Sequence, residues 1–130
     1  MFDRYTEKAR RVIFFARYEA SQLGCLHIET EHLLLGLLRE DEELAELFRQ
    51  APGGIEAVRS RIEAQYSARE KVPASVDMPL SSGSKRVLAY AIEVADGLNH
   101  QHVGLKHLRL ALLREETCLA AVILRERGPG

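Results

Sequence analysis

One twelve-residue segment occurs twice in this chain, and that repetition limits the possible folds more than any other feature. Residues 29–40 read ETEHLLLGLLRE, and residues 104–115 read GLKHLRLALLRE. Histidine, four leucines, arginine and glutamate stand at the same offsets in both copies, 75 positions apart. The chain is therefore an internal duplication, in which two copies of one supersecondary unit share a core. The same offset joins other identical pairs: Arg11 and Arg86, Ala16 and Ala91, Ala20 and Ala95, Leu23 and Leu98, His27 and His102, Leu44 and Leu119.

The apolar residues of the first copy recur at the spacing of an α-helix. A stripe over residues 9–23 advances in steps of three and four, which predicts an amphipathic helix. Thr6 precedes the stripe, where its hydroxyl would cap the helix, and Gly24 would end it. Thr30 is predicted to cap a second helix that carries the leucine run. Two further helices are predicted in this copy, over residues 41–50 and 55–66.

The second copy predicts the same elements in the same order, with one exception. A counterpart of the fourth helix would begin at residue 130, so about seven helices are expected, and part of the second repeat's apolar surface would stay uncovered. No segment alternates with period two, so no sheet is expected. The predicted fold is all-α, a pseudo-twofold tandem repeat of a four-helix motif in which the last helix of the second repeat is missing. Helices are predicted over 84–96, 105–114 and 116–127, within one domain of residues 1–130: repeat one 1–66, linker 67–83 and repeat two 84–130.

Composition excludes several classes of function. The net charge is −1, and basic residues are scattered among acidic ones, so no nucleic-acid partner is expected. No apolar run approaches the roughly 20 residues that span a bilayer, and the N-terminus lacks the apolar core of a secretion signal, so we expect a cytoplasmic protein with no membrane partner. The two cysteines, Cys25 and Cys118, are predicted to be reduced thiols.

The histidines do not form a metal or catalytic pattern. His27 and His32 are five residues apart, whereas a helical zinc pair needs a spacing of four. His32 and His107 repeat with the fold, which favours histidines that bond to the backbone. Cys25 has His27 nearby but no orienting third group, so no catalytic residue, metal or cofactor is predicted and the chain is not expected to be an enzyme. The SSGSK sequence lacks the glycine spacing of an ATP-binding P-loop.

The repeated TEH-LLLGL-RE pattern, the opening MFDRYTEKARRV and the 75-residue offset resemble the N-terminal domain of Clp-type AAA+ unfoldases, most of all the ClpC branch. The resemblance implies an all-helical pseudo-dimer that docks adaptor proteins and protein substrates for an ATP-dependent protease, with the AAA+ ring in cis or in trans as another partner. In the ClpC branch it also implies recognition of arginine-phosphorylated proteins. The alternative is a free-standing accessory protein of the same fold, which would bind the Clp protease machinery itself.

The resemblance also assigns candidate site residues. It implies that Glu31 holds the guanidinium part of phosphoarginine and Thr6 its phosphoryl group, and Arg11 could add positive charge. The competing interpretation is local, with Thr6 as a helix cap, Glu31 as a first-turn acid and Arg11 as a solvated side chain. Phe2 and Tyr5, which the sequence suggests are exposed, are either part of a protein-docking face or a hydrophobic staple on the first helix.

The second copy departs from the family pattern. Ser81 and Arg86 stand at the positions of Thr6 and Arg11, but Lys106 stands where the first copy has Glu31. A lysine cannot accept a hydrogen bond from a guanidinium, and its charge repels that group. The second site is therefore expected to be degraded, which leaves one functional site in the first repeat.

Overall fold

The helices are described by a computed structural model, which covers residues 2–66, 70–73 and 77–127. Within these ranges the backbone forms seven α-helices and no β-strand. The seven-helix, all-α prediction is thereby confirmed. In chain order the helices are α1 (Glu7–Gln22), α2 (Thr30–Glu40), α3 (Glu42–Gln50), α4 (Gly54–Glu63), α5 (Ser82–Gly97), α6 (Leu105–Arg114) and α7 (Leu119–Arg127).

Local capping fixes where the first helix of each repeat begins and ends. The Thr6 hydroxyl accepts the Ala9 N–H at 3.1 Å, and Ser81 accepts the Ser84 N–H at the same distance. Beyond α1, Gly24 has φ +72°, and Asn99 occupies the equivalent left-handed position after α5 with φ +57°. Glycine and asparagine are the residues that tolerate this conformation at a helix end. The predicted roles of Thr6 and Gly24 are confirmed.

The prediction that Thr30 caps the second helix is wrong. Thr30 is already the first helical residue, and the extended residue before it is Glu29. The Glu29 N–H donates to His32 Nδ1 at 2.8 Å, and in the second repeat the Gly104 N–H donates to His107 Nδ1 at 2.8 Å. At the start of each of these helices, an imidazole nitrogen thus accepts a hydrogen bond from an amide that would otherwise lack a partner within the helix. The prediction that His32 and His107 are bonded to the backbone is confirmed.

Two helix boundaries in the second repeat differ from the prediction. Helix α5 begins at Ser82, inside the segment interpreted as a linker, and α7 begins at Leu119 rather than at residue 116. In the described part of that linker, Met78 is buried and the Val72 N–H donates to the Ser21 carbonyl at 2.9 Å. The segment is therefore packed against the first repeat. The structure does not describe residues 67–69 and 74–76 of the linker, residue 1 at the start of repeat one, or residues 128–130 at the end of repeat two.

Helices α1 and α2 pack antiparallel and approach each other closely. Arg11 near the start of α1 bonds Glu40 at the end of α2, with Nε and Oε1 2.8 Å apart. Where the two helices cross, Gly36 lies so close to α1 that a Cβ atom there would be 2.2 Å from the Val12 carbonyl oxygen. The prediction that the leucines of both runs face the core is confirmed for the first run, whose five leucines at 33–38 are all buried. It holds only in part for the second run, where Leu108 and Leu112 are buried but Leu110 is 46% exposed.

The two repeats exchange backbone hydrogen bonds through a crossed arrangement. The Thr6 N–H donates to the Val103 carbonyl at 2.9 Å, and the Ser81 N–H donates to the Ile28 carbonyl at 3.0 Å. Each repeat therefore pairs the start of its first helix with the segment that precedes the second helix of the other repeat. This crossing brings helix starts from different repeats together at two equivalent junctions.

The second repeat exposes a surface that is covered in the first. Leu35 on α2 is 3% exposed, whereas its counterpart Leu110 on α6 is 46% exposed. In the first repeat, Arg59 of α4 bonds Glu19 on α1, and Tyr66, which follows α4, stacks on His32 of α2. Helix α4 has no counterpart among the described residues of the second repeat, and the expected uncovered apolar patch stays a prediction. No described helix is long and apolar enough to cross a membrane.

Candidate functional site

Glu31 lies in the first turn of α2, half-buried, with both carboxylate oxygens near hydroxyl groups. Its Oε2 accepts a hydrogen bond from the Tyr66 hydroxyl, and its Oε1 lies 3.5 Å from Thr30 Oγ1. The prediction that the fourth helix extends to residue 66 is wrong, because α4 ends at Glu63 and Tyr66 lies in the turn that follows. No pattern in the sequence links Tyr66 to Glu31. The structure therefore adds Tyr66 to the candidate site.

The start of α5 lies directly across from the start of α2. Gly83 in the first turn of α5 faces Thr30, where an added Cβ would be 3.4 Å from Thr30 Cγ2. The same Cβ would be 3.6 Å from Glu115 Oε2 and 3.8 Å from the Arg86 guanidinium, and these two groups are paired at 2.6 Å. Two helix N-termini converge here, and their unpaired amides and dipoles favour a negatively charged group. We call this place the α2–α5 junction.

The equivalent α1–α6 junction has the opposite charge character. It is a groove of about 500 Å³ in which the start of α1 meets the start of α6. Lys106 occupies the position of Glu31, and Lys8 adds a second ammonium group. This junction offers cations and helix-start amides, but its only lining carboxylate belongs to Glu7. The lining residues are Thr6, Glu7, Lys8, Gly104, Leu105, Lys106 and His107.

The structure corrects the grouping of Thr6, Arg11 and Glu31 in one site. Because α1 and α2 are antiparallel, Arg11 lies beside Glu40, nine residues from Glu31 and thus about 13 Å further along α2 at 1.5 Å per residue. Thr6 lies beyond Arg11 at the α1–α6 junction. Each junction combines a first-helix start from one repeat with a second-helix start from the other. Glu31 therefore shares its junction with Ser81 and Arg86, and Lys106 shares its junction with Thr6 and Arg11.

Both candidate arginines are engaged in equivalent ion pairs. Arg11 Nε bonds Glu40 Oε1 at 2.8 Å and its NH1 lies 3.1 Å from Glu7 Oε1, while Arg86 pairs with Glu115. Glu40 and Glu115 are the final glutamates of the two repeated segments. Each arginine thus ties the first helix of its repeat to the end of the second helix. Arg11 and Arg86 keep about half of their side-chain surface exposed, at 41% and 54%.

The suggestion that Tyr5 is exposed is wrong. Tyr5 is 2% exposed, its hydroxyl donates to the Leu88 carbonyl at 2.7 Å, and half-buried Phe2 packs edge-on against its ring. Because the segment that precedes α1 pairs with the second repeat, it carries Tyr5 into the core. The exposed aromatic side chains are Phe14 and Tyr18 on α1, at 66% and 43%. Sequence reasoning missed them, although they lie off the apolar stripe of α1.

His32 is fully buried beside this site in its neutral form. Burial holds the pKa of His32 down from its ordinary 6.5 to about 4, despite the opposing negative charges of Glu31 and Glu19. Its Nδ1 must stay unprotonated to accept the Glu29 N–H. His107 has its pKa lowered by burial and by His100, which lies 2.8 Å away between ring nitrogens. Among the described residues, no three metal-ligating side chains of the His, Cys, Asp or Glu type come together.

Acid is therefore expected to destabilise the protein through His32. The unfolded chain binds a proton at this residue near pH 6.5, whereas the folded protein does so only near pH 4, so falling pH favours unfolding. Lowering the pH from 7.5 to 5 should cost about 2 kcal/mol of the free energy of unfolding from His32 alone. Urea unfolding at both pH values measures this loss, and a His27→Gln variant, altered at an exposed histidine, should show the same loss. A His32 ring that titrates near pH 6.5 by NMR would contradict the explanation.

Comparison of the sequence with known proteins identifies a family. The family model described as the Clp repeat (R) N-terminal domain matches residues 4–128. The chain is 36% identical over 129 residues to the negative regulator of genetic competence ClpC/MecB of Bacillus subtilis, and 38% identical over 129 residues to the chloroplastic chaperone protein ClpC1 of Arabidopsis thaliana. Each match covers 98% of this chain but only 16% and 14% of those relatives, so the chain spans about a sixth of their length.

Solved structures agree on the fold. The N-terminal domain of the caseinolytic protease associated chaperone ClpD from Arabidopsis thaliana matches with a TM-score of 0.74 and 27% identity, over 100% of this chain and 88% of that one. The Hsp104 N-terminal domain from Candida albicans, at 21% identity, shares the fold with a TM-score of 0.75 over 98% of this chain and 84% of that one. The duplicated helices, the crossed repeats and a family match over nearly the whole length lead to one conclusion: the chain belongs to the Clp repeat N-terminal domain family.

Proposed function

We propose that this chain is a non-catalytic module that docks adaptors or substrates for an ATP-dependent Clp unfoldase and protease, and that it binds phosphoarginine side chains at the α2–α5 junction. The family membership supports the docking role. The observation that supports phosphoarginine as the ligand is the position of Glu31, a half-buried carboxylate beside two converging helix N-termini. A phosphoarginine has a planar N–H-bearing group next to an anion, so it needs both features at one place.

The two parts of the ligand have separate partners at this junction. The Glu31 carboxylate can accept paired N–H bonds from the guanidinium part. The phosphoryl group would meet amides at the start of α5, where Gly83 has no side chain, although Glu115 Oε2 lies 3.6 Å from the place that a Cβ would take. Arg86, just after the first turn of α5, adds positive charge, although it is paired with Glu115. Ser81 caps α5 and keeps its first turn in place.

The α1–α6 junction does not fit the same ligand. Its helix starts and lysines suit an anion, but Lys106 replaces the carboxylate that would accept the guanidinium N–H groups. The like charge of Lys106 and a guanidinium also disfavours binding. We therefore expect one phosphoarginine site per chain, with Glu31 as its essential residue. Exposed Phe14 and Tyr18 on α1 are further candidates for contact with a protein partner.

Calorimetric titration with free phosphoarginine tests this function. Binding at one site per chain is expected, and Glu31→Gln should weaken it at least about tenfold, because a charge-assisted hydrogen bond contributes about 1.5–3 kcal/mol. Glu7→Gln is the matched control, since Glu7 is a first-turn acid at the other junction. Lys106→Glu should begin to create a second site. Two equivalent sites in the wild-type protein, or binding unaffected by Glu31→Gln, would contradict the one-site proposal.

A further inference from the structure

We propose that the Tyr66 hydroxyl acts as a gate on Glu31, occupying the carboxylate in the free protein so that a guanidinium ligand must displace it. The inference rests on the proposed function, because it concerns how that site is opened. Nothing in the repeated sequence pattern assigns a role to Tyr66, which lies outside both repeated segments. The contact of its side chain with Glu31 is the observation that carries the inference.

Tyr66 is held over the site by two contacts. Its hydroxyl donates to Glu31 Oε2, and its ring stacks on that of His32, with centroids 5.8 Å apart and planes 17° apart. Burial and the Glu31 carboxylate raise the pKa of the Tyr66 hydroxyl above its ordinary value, so the group stays protonated and remains a donor. Glu31 is therefore already bonded by an O–H group, much as it would be by the N–H group of a ligand.

Competition follows from the geometry of guanidinium recognition. A bidentate complex places one N–H bond on each carboxylate oxygen. Thr30 Oγ1 at 3.5 Å from Oε1 is at the limit of a hydrogen bond and is a weak competitor. Each carboxylate oxygen has two lone pairs, so the two donors compete where the guanidinium approaches the lone pair of Oε2 that the Tyr66 hydroxyl already holds, and there the Tyr66 bond must weaken or break. Wild-type affinity is thus lowered by the energy of that internal bond.

Displacement of Tyr66 does not require the rest of the repeat to unfold. Helix α4 ends at Glu63 and is anchored in the core by Val58 and Ile62, both buried. Tyr66 follows this helix in a turn, where its own N–H donates to the Glu63 carbonyl at 3.0 Å. The ring can therefore move while α4 stays packed. At the α1–α6 junction Lys106 offers no acceptor, so a hydroxyl could not gate that groove in the same way.

Tyr66→Phe tests the gate, since it keeps an aromatic ring against His32 and removes only the hydroxyl. Calorimetric titration with phosphoarginine should show binding about five- to tenfold tighter than in the wild-type protein, because the competing hydrogen bond is gone. Tyr90→Phe is the matched control. Tyr90 lies on α5, and the Arg114 guanidinium carbon is 4.2 Å from the centroid of the Tyr90 ring. This variant should bind phosphoarginine as the wild type does. In the wild type, saturating ligand should also shift the NMR signal of a 13C-labelled Tyr66 ring.

The possible results separate the gate from the function on which it rests. Equal or weaker binding by Tyr66→Phe would overturn the gate, while binding by the wild type would leave the phosphoarginine function standing. Absence of binding by both proteins would overturn both proposals. Binding by Tyr66→Phe alone would support both, with the gate closed in the wild type. A Tyr66 NMR signal that does not move at saturation would also count against displacement.

Discussion

Gly36→Ala is expected to lower the free energy of unfolding by at least about 3 kcal/mol, the upper end for overpacked cores. Helix propensity alone predicts the opposite sign, since alanine is favoured over glycine inside a helix by about 1 kcal/mol. Packing decides the result because the new methyl group would lie 2.2 Å from the Val12 carbonyl oxygen and 3.1 Å from the Ala16 backbone nitrogen. Backbone atoms cannot rotate away, so α1 and α2 would have to separate.

Gly97→Ala is the matched control for this substitution. Gly97 is the last residue of α5, and an added Cβ there meets no atom within 4 Å. The same chemical change should therefore be neutral or stabilising by up to about 1 kcal/mol. Urea denaturation of both variants, with the slope m compared, measures the two effects. Equal stability of Gly36→Ala and the wild type would mean that α1 and α2 do not approach as closely as described.

Leu34→Ala is expected to cost about 2–5 kcal/mol, the range for removing a large aliphatic side chain from a core. Leu34 is 0% exposed on α2, the helix that packs against α1 and contacts the second repeat. The loss combines the transfer free energy of three carbon atoms with the cavity left behind, which the neighbouring helices can fill only in part. A cost of this size is a large fraction of the stability of a typical domain.

Leu110→Ala provides the comparison for that prediction. Leu110 lies on α6, the counterpart of α2, but is 46% exposed, so the same truncation should cost less than about 1 kcal/mol. Thermal and urea unfolding of the two variants should therefore differ clearly. Similar losses for Leu34→Ala and Leu110→Ala would show that burial does not distinguish these positions, and the assignment of the core face of α2 would be wrong.

The sequence predicted the helices well because their signals are local. The apolar stripe before Gly24, the cap at Thr6 and the leucine run each depend on residues within a few turns of one another. Helix boundaries were predicted wrongly where local signals compete. Thr30 carries a capping side chain, yet Glu29 precedes the helix because the buried imidazole of His32 bonds its amide. The burial that decides this competition is a tertiary effect.

The composition of the candidate site could not be predicted from the sequence. The repeat showed that Glu31 and Lys106 are equivalent positions and that they differ in charge, which is enough to expect unequal sites. It did not show which helix start lies beside each of them. Thr6 and Glu31 are in one repeat, and grouping them was wrong because the antiparallel α1 and α2 place them at opposite ends.

The sequence by itself determined the duplication, the all-helical class, the inward face of α2 and the presence of a lysine at residue 106 where the first copy has a glutamate. These follow from spacing and residue type, which act over short distances along the chain. Only the tertiary structure decided that the repeats cross at Thr6–Val103 and Ser81–Ile28, and that Tyr66 bonds Glu31. Contacts between residues far apart in sequence depend on how whole helices pack against one another. Local periodicity does not encode that packing, so the candidate site emerged only when both repeats were in place.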